Sequence, residues 1–253
     1  MAKTELLYGL HSIEAVLKNH PERVLELFIQ QEREDQRIEQ LCQLAHNFGL
    51  VAQRLQAKRL DHLLAQEYSG PLNHQGVVAR CRLQPVLSDD ELASYLSTLT
   101  HPPFLLLLDS VSDPQNLGAC LRVADGAGVD AVITTKDKAV GLTPVVRRVA
   151  SGAAESMPFF QVTNLVRTLR GLQETGVFVV GAALEAQACS IYKVNLQGPL
   201  AIVMGAEGKG LRRLVKEAAD QLIYLPMLGS VQSLNVATAS GICLYEALRQ
   251  RQL

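Results

Sequence analysis

From residue 104 onward, short apolar runs alternate with segments whose apolar residues recur every three or four positions. FLLLLD (104–109), DAVITT (130–135), MPFFQV (157–162), VFVVGAAL (177–184), PLAIVMG (199–205) and QLIYLP (221–226) are the runs. Their apolar character is nearly continuous, which predicts strands of a parallel sheet covered on both faces. Between most of them lie helical patterns: NLGACLRVADGAG (116–128), TPVVRRVASGAAE (143–155), NLVRTLRGLQETG (164–176) and GLRRLVKEAAD (210–220). SLNVATASGICLYEALRQRQ (233–252) predicts a final helix. Strand and helix in turn predict a doubly wound α/β domain over residues 101–253.

The first third is a smaller unit of the same class. HSIEAVLKN, DQRIEQLCQLAHNFG (closed by Gly49) and AKRLDHLLAQ predict helices, while RVLELFIQ, LVAQRLQ and GVVARCRL predict strands. This gives an α/β domain over residues 1–82. Residues 83–100, with prolines and an acidic run, read as a linker carrying one short helix.

Composition excludes more than it assigns. In 253 residues the hydrophobic fraction is 48%, enough for a substantial core, and the net charge is -1, so a nucleic-acid partner needs local basic patches. Trp is absent and aromatic residues make up 5%, which argues against aromatic base-stacking platforms. The five cysteines, Cys42, Cys81, Cys120, Cys189 and Cys243, are widely spaced and read as reduced thiols of a cytoplasmic protein. No apolar run approaches membrane-spanning length, no signal region is apparent, and no histidine has metal-ligand spacing, so neither membrane nor metal is expected. His11 and His74 read as satisfied or solvated side chains, with RNA contact the alternative.

Three stretches carry candidate chemistry. In DPQNLGACLR (113–122), Asp113 and Pro114 predict a helix start. Arg122 then points back over Gly118 and Ala119 toward that start and forms an anion site, or pairs on the surface with Asp125. In VMGAEGKGLRR (203–213), Gly205, Gly208 and Gly210 follow a buried strand, a ligand-binding arrangement or simply a turn. The spacing matches neither a dinucleotide fingerprint nor a Walker loop, and Glu207 is out of place in a phosphate cradle. Lys209, Arg212, Arg213 and Lys216 form either a solvated face or a track for a phosphate backbone. In LPMLGSVQSLNVATASGICLYEAL (225–248), small residues allow close approach at a helix start, and Ser233 and Asn235 are cap candidates or site residues.

Together, and in this order, the three stretches resemble the three motifs of the SpoU class of SPOUT methyltransferases, with no departure at the motif residues. LLYGLHSIEAVL (6–17) and NHQGVVA (73–79) resemble the accessory domain of its ribosomal RNA members. The resemblance implies a C-terminal domain with a trefoil knot and a ribosomal-protein-like N-terminal domain that holds RNA. It implies a homodimer and transfer of a methyl group from S-adenosylmethionine to the ribose 2′-oxygen of a guanosine in large-subunit ribosomal RNA. It assigns the chemistry to Arg122, with Asn116, Glu207, Ser233 and Asn235, and the cofactor to the backbone around Ala183, Gly205, Leu225, Met227 and Leu234. Transfer RNA or another ribosomal nucleotide is the alternative substrate, and a non-catalytic RNA-binding protein the alternative class. An ordinary nicotinamide-binding sheet is disfavoured by the missing glycine fingerprint.

Overall fold

The computed structural model describes residues 4–68, 72–84 and 86–251. Pro85, read as part of the linker, and Gln252, read as the end of the last helix, lie outside the described residues. The chain divides into one unit of residues 1–85 with 151–156, and another of residues 86–150 and 157–253.

In the first unit, in chain order, are β1 (Thr4–Tyr8), α1 (Leu10–Asn19), β2 (Val24–Gln30), α2 (Gln36–Asn47), β3 (Ala52–Leu55), α3 (Ala57–Ala65) and β4 (Val77–Arg82). The sheet order is β1-β4-β2-β3, with only β2 and β3 parallel. Successive strand residues face opposite ways. Leu27, Ile29, Val77 and Ala79 therefore bury against α1 and α2, while Phe28 and Val78 bury against Leu60 and Leu64 of α3. Asp35 caps α2 through Ile38 N–H, and Gly49 takes φ 74° just beyond its end. The sequence pattern did not predict β1, because ELLY runs directly into a helix with only Gly9 between them.

The second unit holds α4 (Asp89–Ser97), β5 (Phe104–Asp109), α5 (Pro114–Gly126), β6 (Ala131–Thr135) and α6 (Pro144–Ala150). The chain then makes α7 (Ala153–Ser156), which belongs to the first unit, and returns as β7 (Phe159–Val162) and α8 (Leu165–Glu174). It closes with β8 (Phe178–Ala182), β9 (Cys189–Ser190), β10 (Leu200–Gly205), α9 (Arg213–Ala218), β11 (Gln221–Tyr224) and α10 (Val236–Arg251). All seven strands are parallel, in the order β7-β6-β5-β10-β8-β11-β9. Every residue of FLLLLD is buried, as a sheet covered on both faces requires. α4, in the stretch read as a linker, places Leu92 in the core beside Leu105, Ile133 and Phe160.

Two helices differ from their sequence patterns. TPVVRRVASGAAE is not one helix: Ser151 and Gly152 adopt φ 52° and 99° and break it into α6 and α7. A Cβ on Gly152 would lie 3.0 Å from the His11 carbonyl oxygen and the Ala15 side chain. The segment after Gly210 becomes helical only at Arg213, because Gly210 has φ 63° and Arg212 is extended. The two-residue strand β9 is too short to show any periodicity.

Candidate active site

β5 and β10 are neighbours, yet the chain leaves them in opposite directions along the sheet, β5 toward β6 and β10 toward β11. Such a switch point opens a crevice at the carboxyl ends of the strands. Its two lips are the first and second candidate stretches, with Gly205 directly opposite Asp109 in the ladder.

Each lip is shaped by local chemistry. On the β5 side, the Asp113 carboxylate accepts from Gln115 N–H at 2.9 Å, and Pro114 occupies the first helical position, so α5 starts where the sequence predicts. On the β10 side, the turn 206–210 is closed by Gly210 N–H donating to the Ala206 carbonyl at 2.8 Å, with Gly208 and Gly210 at positive φ. Gly205 lies beneath this turn. A Cβ there would fall against the Gly210 carbonyl carbon and the Leu211 nitrogen, and 2.5 Å from the Gly210 oxygen. The Cβ side of Gly205 is therefore filled by the chain's own turn.

Three candidate residues from three distant stretches meet across the crevice. Asn116 Nδ2 donates to Glu207 Oε2 at 3.1 Å, and Asn235 Nδ2 donates to Asn116 Oδ1 at 2.7 Å. Asn235 Oδ1 in turn accepts from Ala237 N–H at 2.9 Å, capping α10. The donors all run one way, from the free N–H groups of a helix start through two amides to a carboxylate. Both amide orientations are set by this network. Asn235 thus caps α10 and also joins the Asn116–Glu207 network, while exposed Ser233 lies two positions before the cap.

Arg122 is the other candidate on α5. It lies six residues beyond Asn116 on α5, about 9 Å along the axis and about 120° around it, and it is exposed. Gly118 does not clear a path for it. A Cβ on Gly118 would sit 2.6 Å from Val149 Cβ and 2.8 Å from the Val146 carbonyl oxygen, so this glycine lets α6 pack against α5.

Of the remaining candidates, two follow neighbouring strands, and Met227 and Leu234 lie in the connection between β11 and α10. Ala183 and Leu225 follow β8 and β11, which pair, and Ala183 N–H donates to the Ile223 carbonyl. Ala183, Leu225, Met227 and Leu234 are all partly buried, beside exposed Leu184 and fully exposed Leu228. Among the described residues, 226–234 make no backbone–backbone hydrogen bond. The segment 226–234 therefore offers main-chain donors and acceptors, with Met227 and Leu234 partly buried along it.

The basic cluster is largely neutralised. Arg213 pairs with Glu217 at 2.7 Å, Lys216 pairs with Glu185, and Arg212 Nε donates to Asp109 Oδ1 at 2.6 Å. Lys209 is exposed. Sequence reasoning overlooked Asp109, a fully buried carboxylate at the end of β5. The available signal was the lone charge closing an all-apolar strand.

His74 is a structural residue: it is buried, its Nδ1 accepts from Gly76 N–H at 2.9 Å, and its Nε2 lies 3.2 Å from Asp61. Burial pushes the Cys120 thiol up to about 11 and the Cys243 thiol to about 12, so neither is a nucleophile at neutral pH. No cluster suited to a metal ion occurs among the described residues, and no helix among them is long and apolar enough to cross a membrane.

Known proteins resemble this chain over nearly its whole length. The SpoU rRNA Methylase family matches residues 103–245, and the family described as RNA 2′-O ribose methyltransferase substrate binding matches residues 6–86. A Shewanella oneidensis protein named 23S rRNA (guanosine-2′-O-)-methyltransferase RlmB is 53% identical over 252 residues, covering 100% of both chains. A Coxiella burnetii protein of the same name is 48% identical, covering 100% of this chain and 98% of its own. Among solved structures, an RNA 2′-O ribose methyltransferase superposes with a TM-score of 0.77 at 27% identity, over 100% of this chain and 90% of that one. The SpoU methyltransferase AviRb of Streptomyces viridochromogenes, in complex with AdoMet, shares the fold with a TM-score of 0.77 at 23% identity, covering 98% and 90% of the two chains. With its family motifs gathered at one switch point and the substrate-binding unit ahead of them, this chain belongs to the SpoU rRNA methylase family.

Proposed function

We propose that the protein transfers the methyl group of S-adenosylmethionine to the ribose 2′-oxygen of a guanosine in 23S ribosomal RNA. Full-length relatives at 53% and 48% identity carry that activity in their names. The observation that carries the reading to this chain is the Asn116–Glu207–Asn235 network, which draws all three family motifs into one site.

The donor set suits the cofactor. Ala183, Leu225, Met227 and Leu234 offer an apolar wall to an adenine ring and thioether carbons, and the unpaired main chain around 226–234 offers polar partners. Gly205 contributes as the foot of the Glu207 turn. The bound cofactor supplies a methyl group on a positively charged sulfur, which is already activated for transfer.

The protein's own residues must therefore position and deprotonate a ribose hydroxyl. Arg122 grips the phosphate next to the target ribose with its planar fork and holds the 2′-oxygen in line for attack. As the 2′-oxygen–methyl bond forms and the methyl–sulfur bond breaks, the hydroxyl proton passes to an oxygen of the phosphate that Arg122 holds and from there to solvent water. Glu207, set by Asn116 and Asn235, orders the opposite wall, and exposed Ser233 contacts RNA or cofactor. The N-terminal domain, residues 1–82, holds the RNA and selects the site.

The protein acts in the cytoplasm as a homodimer with its active site assembled where two copies meet. The exposure of Arg122, about a third of a turn around α5 from Asn116, supports this arrangement. The C-terminal segment follows the knotted path of its family.

The test is transfer of labelled methyl groups from S-adenosylmethionine to 23S ribosomal RNA and to transfer RNA, followed by mapping of 2′-O-methyl positions. Methylation of one 23S guanosine is expected. Methylation confined to transfer RNA, or tight RNA binding without transfer, overturns the reading.

A further inference from the structure

Asp109 is fully buried, although it is a carboxylate at the end of an otherwise apolar strand. Burying such a group is expensive unless donors surround it. Its partners are Ser110 Oγ at 3.1 Å, Arg212 N–H at 2.9 Å and Arg212 Nε at 2.6 Å. Ser110 itself sits at φ 64°, an unfavourable conformation for serine, held in place beside the site.

These bonds bear on one object. The turn that presents Glu207 has two feet, Gly205 and Arg212. Gly205 pairs with Asp109 through the strand ladder, and Arg212 is bound by the Asp109 carboxylate through both main chain and side chain. Asp109 thus anchors both feet, and the Asn116–Glu207 bond is the third tie across the same two loops. The Arg212 side chain is 50% exposed, so the pair does little to fill the core, and a purely structural position would favour an apolar residue.

We infer that Asp109 is a positioning residue for methyl transfer, acting through Arg212 to fix the turn that holds Glu207 against Asn116. The inference deepens the proposed function and rests on it for its kinetic reading, but its structural core is testable without any activity.

The experiment uses the full-length protein with Asp109→Asn, Arg212→Gln, Arg212→Lys, Glu207→Ala and the double variant Asp109→Asn/Glu207→Ala. Amide hydrogen exchange is measured first. Residues 206–211 should lose at least tenfold protection in Asp109→Asn and in Arg212→Gln, with protection of β6 and β10 unchanged. Equal protection of the turn in wild type and in either variant overturns the inference, whatever the substrate proves to be. Methyl transfer to 23S ribosomal RNA is measured next, below the melting temperature of every variant. Asp109→Asn should lower kcat tenfold or more with KM for RNA changed less than threefold, and Arg212→Lys should restore more turnover than Arg212→Gln. In the Glu207→Ala background, Asp109→Asn should add less than threefold, because the turn then has no side chain left to hold against Asn116. Independent, multiplying losses overturn the inference. If Asp109→Asn does not fold, Arg212→Gln, altered at a half-exposed side chain, gives the same readings. Inactive wild type with a turn that loosens as described rejects the proposed substrate and leaves the positioning role standing.

Discussion

Gly205→Ala adds one methyl group at the point where the glycine turn folds over the end of β10. The new carbon would meet the Gly210 carbonyl carbon and the Leu211 nitrogen, and would lie 2.5 Å from the Gly210 oxygen. Ordinary contact needs about 3.5 Å between heavy atoms. The obstacle is main chain on both sides, so the turn must lift by about 1 Å. Lifting it strains the Gly210–Ala206 bond and the two Arg212–Asp109 bonds. A neutral bond contributes about 1 kcal/mol and one to a charged group about 1.5–3 kcal/mol, so partial loss of this set costs on the order of 2–4 kcal/mol. Displacing Glu207 by about 1 Å should lower methyl transfer by about 10²-fold. Gly208→Ala is the matched control. Nothing lies within 4 Å of its Cβ position, and only its φ of 73° opposes a side chain, so it should cost about 1 kcal/mol and a few-fold in rate. Denaturant melts and single-turnover methyl transfer on both variants decide the matter. If Gly205→Ala matches Gly208→Ala in both, the turn is not held down on the strand end as described.

Arg122→Ala should lower single-turnover transfer by about 10²-fold or more while leaving the melting temperature and cofactor affinity nearly unchanged, because its side chain is exposed; activity within a few-fold of wild type removes Arg122 from the chemistry. Arg23, 8% exposed and bonded to Glu155 at 2.8 Å and Glu5 at 3.0 Å, holds the 151–156 excursion within the first unit. Arg23→Leu takes the shared guanidinium away from two largely buried carboxylates and should cost about 3–5 kcal/mol by denaturant unfolding, with a loss below about 1 kcal/mol contradicting the assignment. The Cys120 and Cys243 thiols, raised by burial from 9.0 to about 11 and about 12, stay protonated in the folded state while the unfolded chain ionises near 9. Above that pH the unfolded state binds fewer protons, so these thiols make stability fall as pH rises from about 9 toward 11. The Cys120→Ala/Cys243→Ala pair should flatten that decline in pH-dependent melts, and an unchanged slope refutes the linkage.

Much of this was determined by the sequence alone, where local and repetitive rules apply. Strands buried on both faces must be apolar throughout, so FLLLLD and PLAIVMG are visible without a structure. Asp113 followed by Pro114 can start a helix through its own neighbours, and does. The motif order likewise carried the family, and with it Asn116, Glu207 and Asn235 as candidates. Shorter or interrupted elements escaped: β9 has two residues, and the Ser151–Gly152 break hides inside an unbroken apolar period.

What tertiary structure decided was the purpose of residues whose reason lies far along the chain. Gly118 is small for the sake of Val149 on α6, and Gly205 for the sake of its own returning turn. Asp109 is an acid because Arg212, 103 positions away, supplies its donors, and Arg212 thereby leaves the basic patch it joins on paper. Asn235 looks like a cap in one dimension and joins a network across the crevice only when α10 brings it to Asn116, 119 positions earlier. Local pattern records which face of an element is apolar, because that depends on near neighbours. Which donor meets which acceptor across a crevice depends on strand order, and the switch between β5 and β10 that makes this crevice exists only once the sheet is assembled.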